Sequence, residues 1–157
     1  MTVEWLVGKT NEDTVIRWMR LATFHPVDDR PPLHVGISDC NEWVIDQGTS
    51  GFARIGYGED YSRAFPLMEI ELPEVMNSIS EGLQTAGLSG SQIKSFPVAR
   101  IISSALRWPT RHWPNDALRW AAVATPDLDI EEGLSIIEAT GTQSQRHTAR
   151  QLLRRRK

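Results

Sequence analysis

The feature that most constrains this chain is an amphipathic stretch cut by three prolines, FPVARIISSALRWPTRHWPNDALRWAAVA, running from Phe96 to Ala124. Val98, Ile101, Ile102, Ala105 and Leu106 recur at i, i+3, i+4, i+7 and i+8, with Arg100, Ser103, Ser104 and Arg107 opposite them. That spacing predicts a helix with one buried and one wet face. Pro97 suits a first helical turn, where its missing N–H is no loss, and Pro109 biases Trp108 away from the helical region, so the helix should stop near Arg107. A second helix is expected from Pro114, with Asp116 facing the positive helix end. On it Trp113, Ala117, Trp120 and Ala124 share a face, and the alanines leave room for close packing. The stretch reads as a core hairpin of helices centred on Trp120. A tryptophan-lined ligand groove is the alternative reading.

A chain of 157 residues normally makes one domain and buries about two thirds of its unfolded surface. The expectation is a single α+β domain over 1–157, with helix, sheet and helix in 1–90 and a helical half in 91–157. Cys40 is the only cysteine, which excludes an internal disulfide. No basic leader and no apolar run of about 18 residues occurs, so the protein is expected to be cytoplasmic and without membrane contact.

Before the central stretch the periodicity changes twice. Thr10, with Asp13 three residues on, resembles a helix cap, and Val15, Trp18, Met19 and Ala22 then give an apolar face ending before His25-Pro26. After a loop at Asp28–Pro32, period-two alternation predicts about four short strands between residues 33 and 72. These are Leu33–Ile37, Glu42–Asp46, Phe52–Tyr57 and Met68–Leu72, with Gln47–Gly51 as a hairpin connection. Connections this short favour antiparallel neighbours. Pro73 then opens a helix with Val75, Met76, Ile79 and Leu83 inward and Gly87 placed for a left-handed cap. Beyond the central hairpin, Asp129 and Glu132 mark the start of a helix carrying Ile130, Leu134 and Ile137 and closed by Gly141. The last helix, Gln143–Arg155, has Ala149, Leu152 and Leu153 as its apolar face. The fold class read from this pattern is α+β: one helix, a small antiparallel sheet, then about five helices.

Residues with catalytic chemistry are few. His34, Asp39 and Cys40, with His25 upstream, are the best candidates by residue type, and an enzyme built on them is the third of three functional hypotheses. No paired CxxC or HxxxH spacing is present, so neither metal nor cofactor is implied. Gly56-Tyr57-Gly58 lacks the third glycine and following helix of a phosphate loop and reads as a turn. Glu69 and Glu71 fall on one face of an expected strand, either as paired carboxylates or as a solvated edge.

Charge is the more informative signal. Residues 1–96 hold 14 acids and 7 bases, net −7, whereas residues 97–157 hold 6 acids and 10 bases, net +4, so the chain's −3 conceals two halves of opposite sign. Glu42, Asp46, Glu59, Asp60, Glu69 and Glu71 are expected to form a negative partner-binding surface able to cover a basic site such as that of a nuclease. Arg146, Arg150, Arg154 and Lys157 fall on one stripe of the last helix and are the candidate contacts for nucleic acid in the second hypothesis.

Two segments, WPNDALRW (Trp113–Trp120) and SQRHTARQLL (Ser144–Leu153), resemble the closing pattern of a group of small uncharacterised bacterial proteins of the immunity or accessory type. In that pattern a "W…ALRW" helix precedes a terminal "Q..RH.AR.LL" helix. The resemblance covers the last third of the chain. It implies a protein-binding role without catalysis, such as neutralising a cognate toxin, and carries over no functional residues.

Overall fold

The computed structural model describes residues 4–26, 30–48, 51–110 and 112–156. The chain divides into two compact units, 1–96 and 97–157. The boundary falls where the charge changes sign.

The first unit is built on five antiparallel strands in sequential order: β1 (Trp5–Lys9), β2 (Val15–Phe24), β3 (Leu33–Ser38), β4 (Trp43–Asp46) and β5 (Phe52–Arg54). The helix expected over Thr10–Ala22 is therefore a strand. Thr10 organises a tight turn: its hydroxyl accepts from the Thr14 N–H at 3.2 Å, its carbonyl accepts from the Asp13 N–H at 3.0 Å, and Asp13 takes φ +64°. The false helical signal has a physical origin in β2. Ile16 and Trp18 are buried and alternate with exposed Val15 and Arg17, but an irregularity between Arg20 and Ala22 resets the alternation. Such a bulge places two residues opposite one. Trp18 and Met19 are both buried before it, on opposite faces of the strand, and Leu21 and Ala22 are both buried at it, so adjacent buried pairs imitate a 3.6-residue period.

The sheet curls until β1 approaches β5. A Cβ at Gly8 would lie 2.7 Å from the Phe52 ring, so only glycine admits this approach. Ile16, Trp18, Val44 and Phe52 fill the fold with Leu6 against them, and Trp18 meets Phe52 at 5.4 Å between ring centroids. Glycine is needed at Gly36 for a related reason, since a Cβ there would sit 2.5 Å from the Trp18 ring and 2.1 Å from the Met19 carbonyl.

After β5 the chain departs again from the expected pattern. β5 ends at Arg54, and the expected strand Met68–Leu72 is absent. In its place Ser62–Glu69 forms a 3₁₀ segment with Pro66 inside, burying Ala64, Phe65, Leu67 and Met68. Pro66 cannot donate to a ladder, and the buried neighbours Leu67 and Met68 point the wrong way for period two. Five strands within 5–54 thus replace the four expected within 33–72. Helix α1 (Leu72–Thr85) begins on Pro73, buries Val75, Ile79 and Leu83, leaves Met76 only half-buried, and packs on β2. It ends as expected at Gly87 (φ +74°), with the Leu88 N–H on the Leu83 carbonyl at 2.9 Å. A 3₁₀ segment, Gly90–Ser95, is tied to β4 by a bond from Trp43 Nε1 to Ser95 Oγ at 2.9 Å. Phe96 meets Trp43 edge to face at 5.1 Å, and so belongs to this unit and not to the helical stretch it precedes.

The second unit comprises α2 (Val98–Leu106), α3 (His112–Val123), α4 (Leu128–Thr140) and α5 (Gln143–Arg155). α2 packs on α3 and α4, and α5 packs on both as well. Ile101, Ile102, Ala105 and Leu106 are buried as expected, and so is Ser103, which was placed on the wet face. α3 starts at His112, two residues before the expected Pro114, and Trp120 is 1% exposed. Asp127, not Asp129, caps α4, accepting from the Asp129 N–H at 2.8 Å. Thr142 and Gln145 form a reciprocal capping box at the start of α5, with bonds of 3.2 and 3.0 Å. Among the described residues no helix is long and apolar enough to cross a membrane.

Candidate functional site

The structure separates the residues proposed for an enzyme. His34 lies near the start of β3 and Cys40 in the turn beyond its end, so the strand from His34 to Ser38, about 13 Å, keeps them apart. Cys40 is exposed in a turn where Ser38 Oγ accepts from the Cys40 and Glu42 N–H groups at 3.1 and 3.0 Å. The negative charge of Asp39, and then a hydrogen bond to it, push the Cys40 thiol up from its ordinary value. That is the reverse of an activated nucleophile. Among the described residues no group of His, Cys, Asp and Glu could hold a metal ion.

His34 instead belongs to a row across three strands, in which it is the register partner of Thr23 on β2 and of Asp46 on β4. Thr23 Oγ1 and His34 Nδ1 are 2.9 Å apart. Desolvation lowers the His34 pKa, Arg20 lowers it further, and Asp46 opposes the shift. The imidazole is therefore neutral at neutral pH. Arg20 and Thr23 escaped the sequence reading because it put them on a helix.

The six expected acids occupy different settings. Both carboxylate oxygens of Glu69 are gripped by Arg30 Nη2, and the Glu69 side chain is only 9% exposed, so it serves the interior. Glu42 lies 3.9 Å from Arg54, whose guanidinium stacks 3.5 Å over the Tyr57 ring. Asp46 accepts the Gly48 N–H at 3.1 Å, and Asp60 accepts the Ser62 N–H and hydroxyl at 2.9 and 2.6 Å. Glu59 and Glu71 are exposed, the first in the Gly56–Asp60 turn and the second at the cap position of α1. With Gly58 at φ +63° between Tyr57 and Glu59, that turn is a short 3₁₀ element and leads into no helix that could present an anion site.

Among the described residues of the first unit a groove of about 650 Å³ lies beside β2. Among the described residues β1 pairs with β2 from Val15 to Met19, while β2 runs on to Phe24. Among the described residues the overhang Arg20–Phe24 pairs only with β3. Leu6, Met19, Leu21 and Ala22 supply apolar lining, Glu4, Arg20 and Thr23 polar lining, and Ser78, Glu81 and Thr85 of α1 stand opposite. The volume and the mixture of apolar and polar groups fall in the range of sites that accept ligands. α1 comes close enough here that a Cβ at Gly82 would be 2.0 Å from the Leu21 carbonyl oxygen.

In the second unit Arg146, Arg150 and Arg154 are all exposed on α5, whose other side buries Gln145, Ala149 and Leu152. Lys157 lies outside the described residues. A cavity of about 390 Å³ touches one tryptophan, Trp108, among its described lining, so no tryptophan-lined groove is formed there.

Comparison with protein-family models, with curated proteins and with solved structures finds no match to this chain.

Proposed function

We propose that the chain is a cytoplasmic protein-binding protein that works through its acidic first unit, in the manner of an immunity protein covering a basic partner. One observation carries this reading: the net −7 of residues 1–96 and the net +4 of residues 97–157 divide at the boundary between the two compact units. An acidic unit with its own core can meet a basic protein surface at a rate raised by electrostatic steering. The separation of His34 from Cys40, and the upward push on the Cys40 thiol, speak against a cysteine nucleophile served by that histidine. The experiment is capture from the native host on the immobilised full chain, followed by expression of the neighbouring open reading frame with and without it. Recovery of a basic protein whose toxicity the chain suppresses, with an association rate that falls as salt rises, supports the reading. A harmless neighbour and no basic protein recovered would remove it.

A second reading is supported by the exposed arginines of α5, whose opposite side is buried. If that stripe meets nucleic acid phosphates, log affinity should fall linearly with log salt, and neutralising Arg146, Arg150 and Arg154 should flatten the slope by roughly the number of phosphates released. No retention on heparin and no gel shift at low salt would remove it.

A further inference from the structure

We propose that α5 reads duplex DNA from the major groove, with Arg146, Arg150 and Arg154 on one phosphate strand, Arg155 on the other, and His147 and Gln151 turned to the base edges between them. This deepens the nucleic-acid reading of the helix and rests on it for the phosphate contacts.

Charge pairing sets α5 apart from the helices around it. Elsewhere among the described residues of the second unit the cations have partners. Arg100 meets Asp129 at 3.1 Å, Arg107 meets Glu132 at 3.3 Å, Arg119 meets Asp116 at 3.1 Å, and Arg156 donates to the Ala121 carbonyl at 2.7 Å. The side chains of Arg146, Arg150, Arg154 and Arg155 have no such partner among the described residues, and Gln143–Arg155 contains no acid. The negative end of the helix dipole reaches only the last turn, so it accounts for Arg154 and Arg155 alone. Arg146 is the fourth residue of α5 and Arg150 the eighth. Their i,i+4 spacing, repeated at Arg154, sets like charges side by side, which weakens a helix unless a counter-charge approaches from outside.

Shape then selects the polyanion. Gln145, Ala149 and Leu152 are buried, so α5 is held by one side, and the opposite half is exposed from Arg146 round to Arg155. At about 100° per residue, Arg146, Arg150 and Arg154 fall within an arc of about 80° and Arg155 about 100° further round, with His147, Gln151 and Ser144 in the interval. Cations therefore flank a central strip of hydrogen-bonding side chains. A helix about 20 Å long and roughly 10–12 Å wide with that layout matches the major groove of B-form DNA, about 12 Å across, whose rims are phosphates and whose floor is base edges. The deep, narrow major groove of A-form RNA excludes it. No Phe, Tyr or Trp stands on α5, so the stacking platform that holds single strands is missing. Glutamine bonds adenine N6 and N7 together, which makes adenine the base expected at Gln151.

The test uses the full chain with a pool of random duplex DNA about two helical turns long, its duplex RNA and single-stranded DNA counterparts, heparin and polyglutamate. Duplex DNA should bind at least tenfold tighter than duplex RNA or single strands at one salt concentration. Bound duplexes should be protected from dimethyl sulfate at guanine N7, a major-groove atom. Selection from the pool should enrich adenine at one position, and Gln151→Ala should abolish that preference with the salt slope and melting temperature unchanged. Arg150→Gln should weaken binding to every sequence alike and reduce the slope of log affinity against log salt by about 0.9. Equal affinity for duplex RNA, or unprotected guanine N7, overturns groove entry and leaves the phosphate-contact reading standing wherever Arg150→Gln still flattens the slope. A base preference that Gln151→Ala does not change overturns base reading by this face. Tighter binding of polyglutamate than of duplex DNA overturns the proposal in favour of an acidic protein. No retention on heparin and no binding to any nucleic acid removes the nucleic-acid reading together with it.

Discussion

The two units resolve the same problem, satisfying main-chain polar groups, in opposite ways. The second closes its helix ends with side chains: Asp127 on the first turn of α4 and the Thr142–Gln145 box on α5. The first leaves the far half of β2 with one strand neighbour among the described residues and sets an acidic surround beside it. Their cores differ in kind as well. The helical unit gathers around a large buried side chain, Trp120, while the sheet unit depends on backbone approaches that only glycine permits at Gly8, Gly36 and Gly82.

If that contrast is right, substitutions should act through different mechanisms in the two units. The largest effect is expected from Trp120→Ala. Removing a fully buried tryptophan leaves a cavity and should destabilise the protein by about 3–5 kcal/mol, read as loss of soluble protein or a lowered denaturant midpoint. A variant that melts normally but binds no partner would move Trp120 from the core to an interface. Next is Gly82→Ala, where the added methyl meets a carbonyl that cannot rotate away. Overpacking of this kind costs about 1–3 kcal/mol, against the roughly 1 kcal/mol that alanine gains over glycine inside a helix. A net fall in melting temperature is therefore expected. The matching change in the other unit, Gly133→Ala, meets the tip of Leu106 at 2.9 Å and should cost less, because part of a side chain can turn aside. If the two glycines respond alike, the distinction between backbone-limited and side-chain-limited packing fails.

Thr142→Ala removes one half of the α5 capping box and should cost about 1 kcal/mol by urea denaturation, leaving the first unit's exchange pattern unaltered. The smallest effect concerns pH. The folded-state pKa of His34 is depressed, so its contribution is present above the ordinary histidine value of 6.5 and is lost as pH falls through the lower folded value. His34→Gln should accordingly lose less stability than the parent between neutral pH and mildly acidic pH. Parallel pH profiles for the two proteins would contradict the sign.

The contrast also explains which parts were legible in the sequence. α2, α4 and α5 were readable because each repeats its apolar residues at helical spacing and prolines, caps or glycine mark the ends, as with Pro97, Thr142 and Gly141. In the first unit Leu33–Ile37 shows clean alternation, and the short apolar run Trp43–Ile45 within Glu42–Asp46 is a buried strand as expected. β2 was taken for a helix because Trp18 and Met19 are buried on both faces of the strand and Leu21 and Ala22 are buried at the bulge, and a register shift has no signature in composition. β1 carries an inverted pattern, with Trp5 at 40% and Val7 at 70% exposure and a glycine turned toward Phe52, so hydrophobicity does not mark its inner face. Arg17 stacks over Trp5 at 5.2 Å, partly compensating that exposure. The groove was not legible because its lining joins Leu6 of β1, Met19–Thr23 of β2 and Ser78–Thr85 of α1, which only the pairing and packing bring together.

The central claim is that Val15–Phe24 is a strand of the sheet, shifted in register at Leu21, and not the helix its apolar spacing predicts. Residue-resolved amide exchange on the free full-length chain tests it most directly. The account predicts slow exchange throughout Ile16–Met19, where β2 has strand neighbours on both sides, and at the β3-bonded amides of Arg20–Phe24, with a break at Leu21. Fast exchange within Ile16–Met19, or protection that runs through Leu21 without a break, would contradict it.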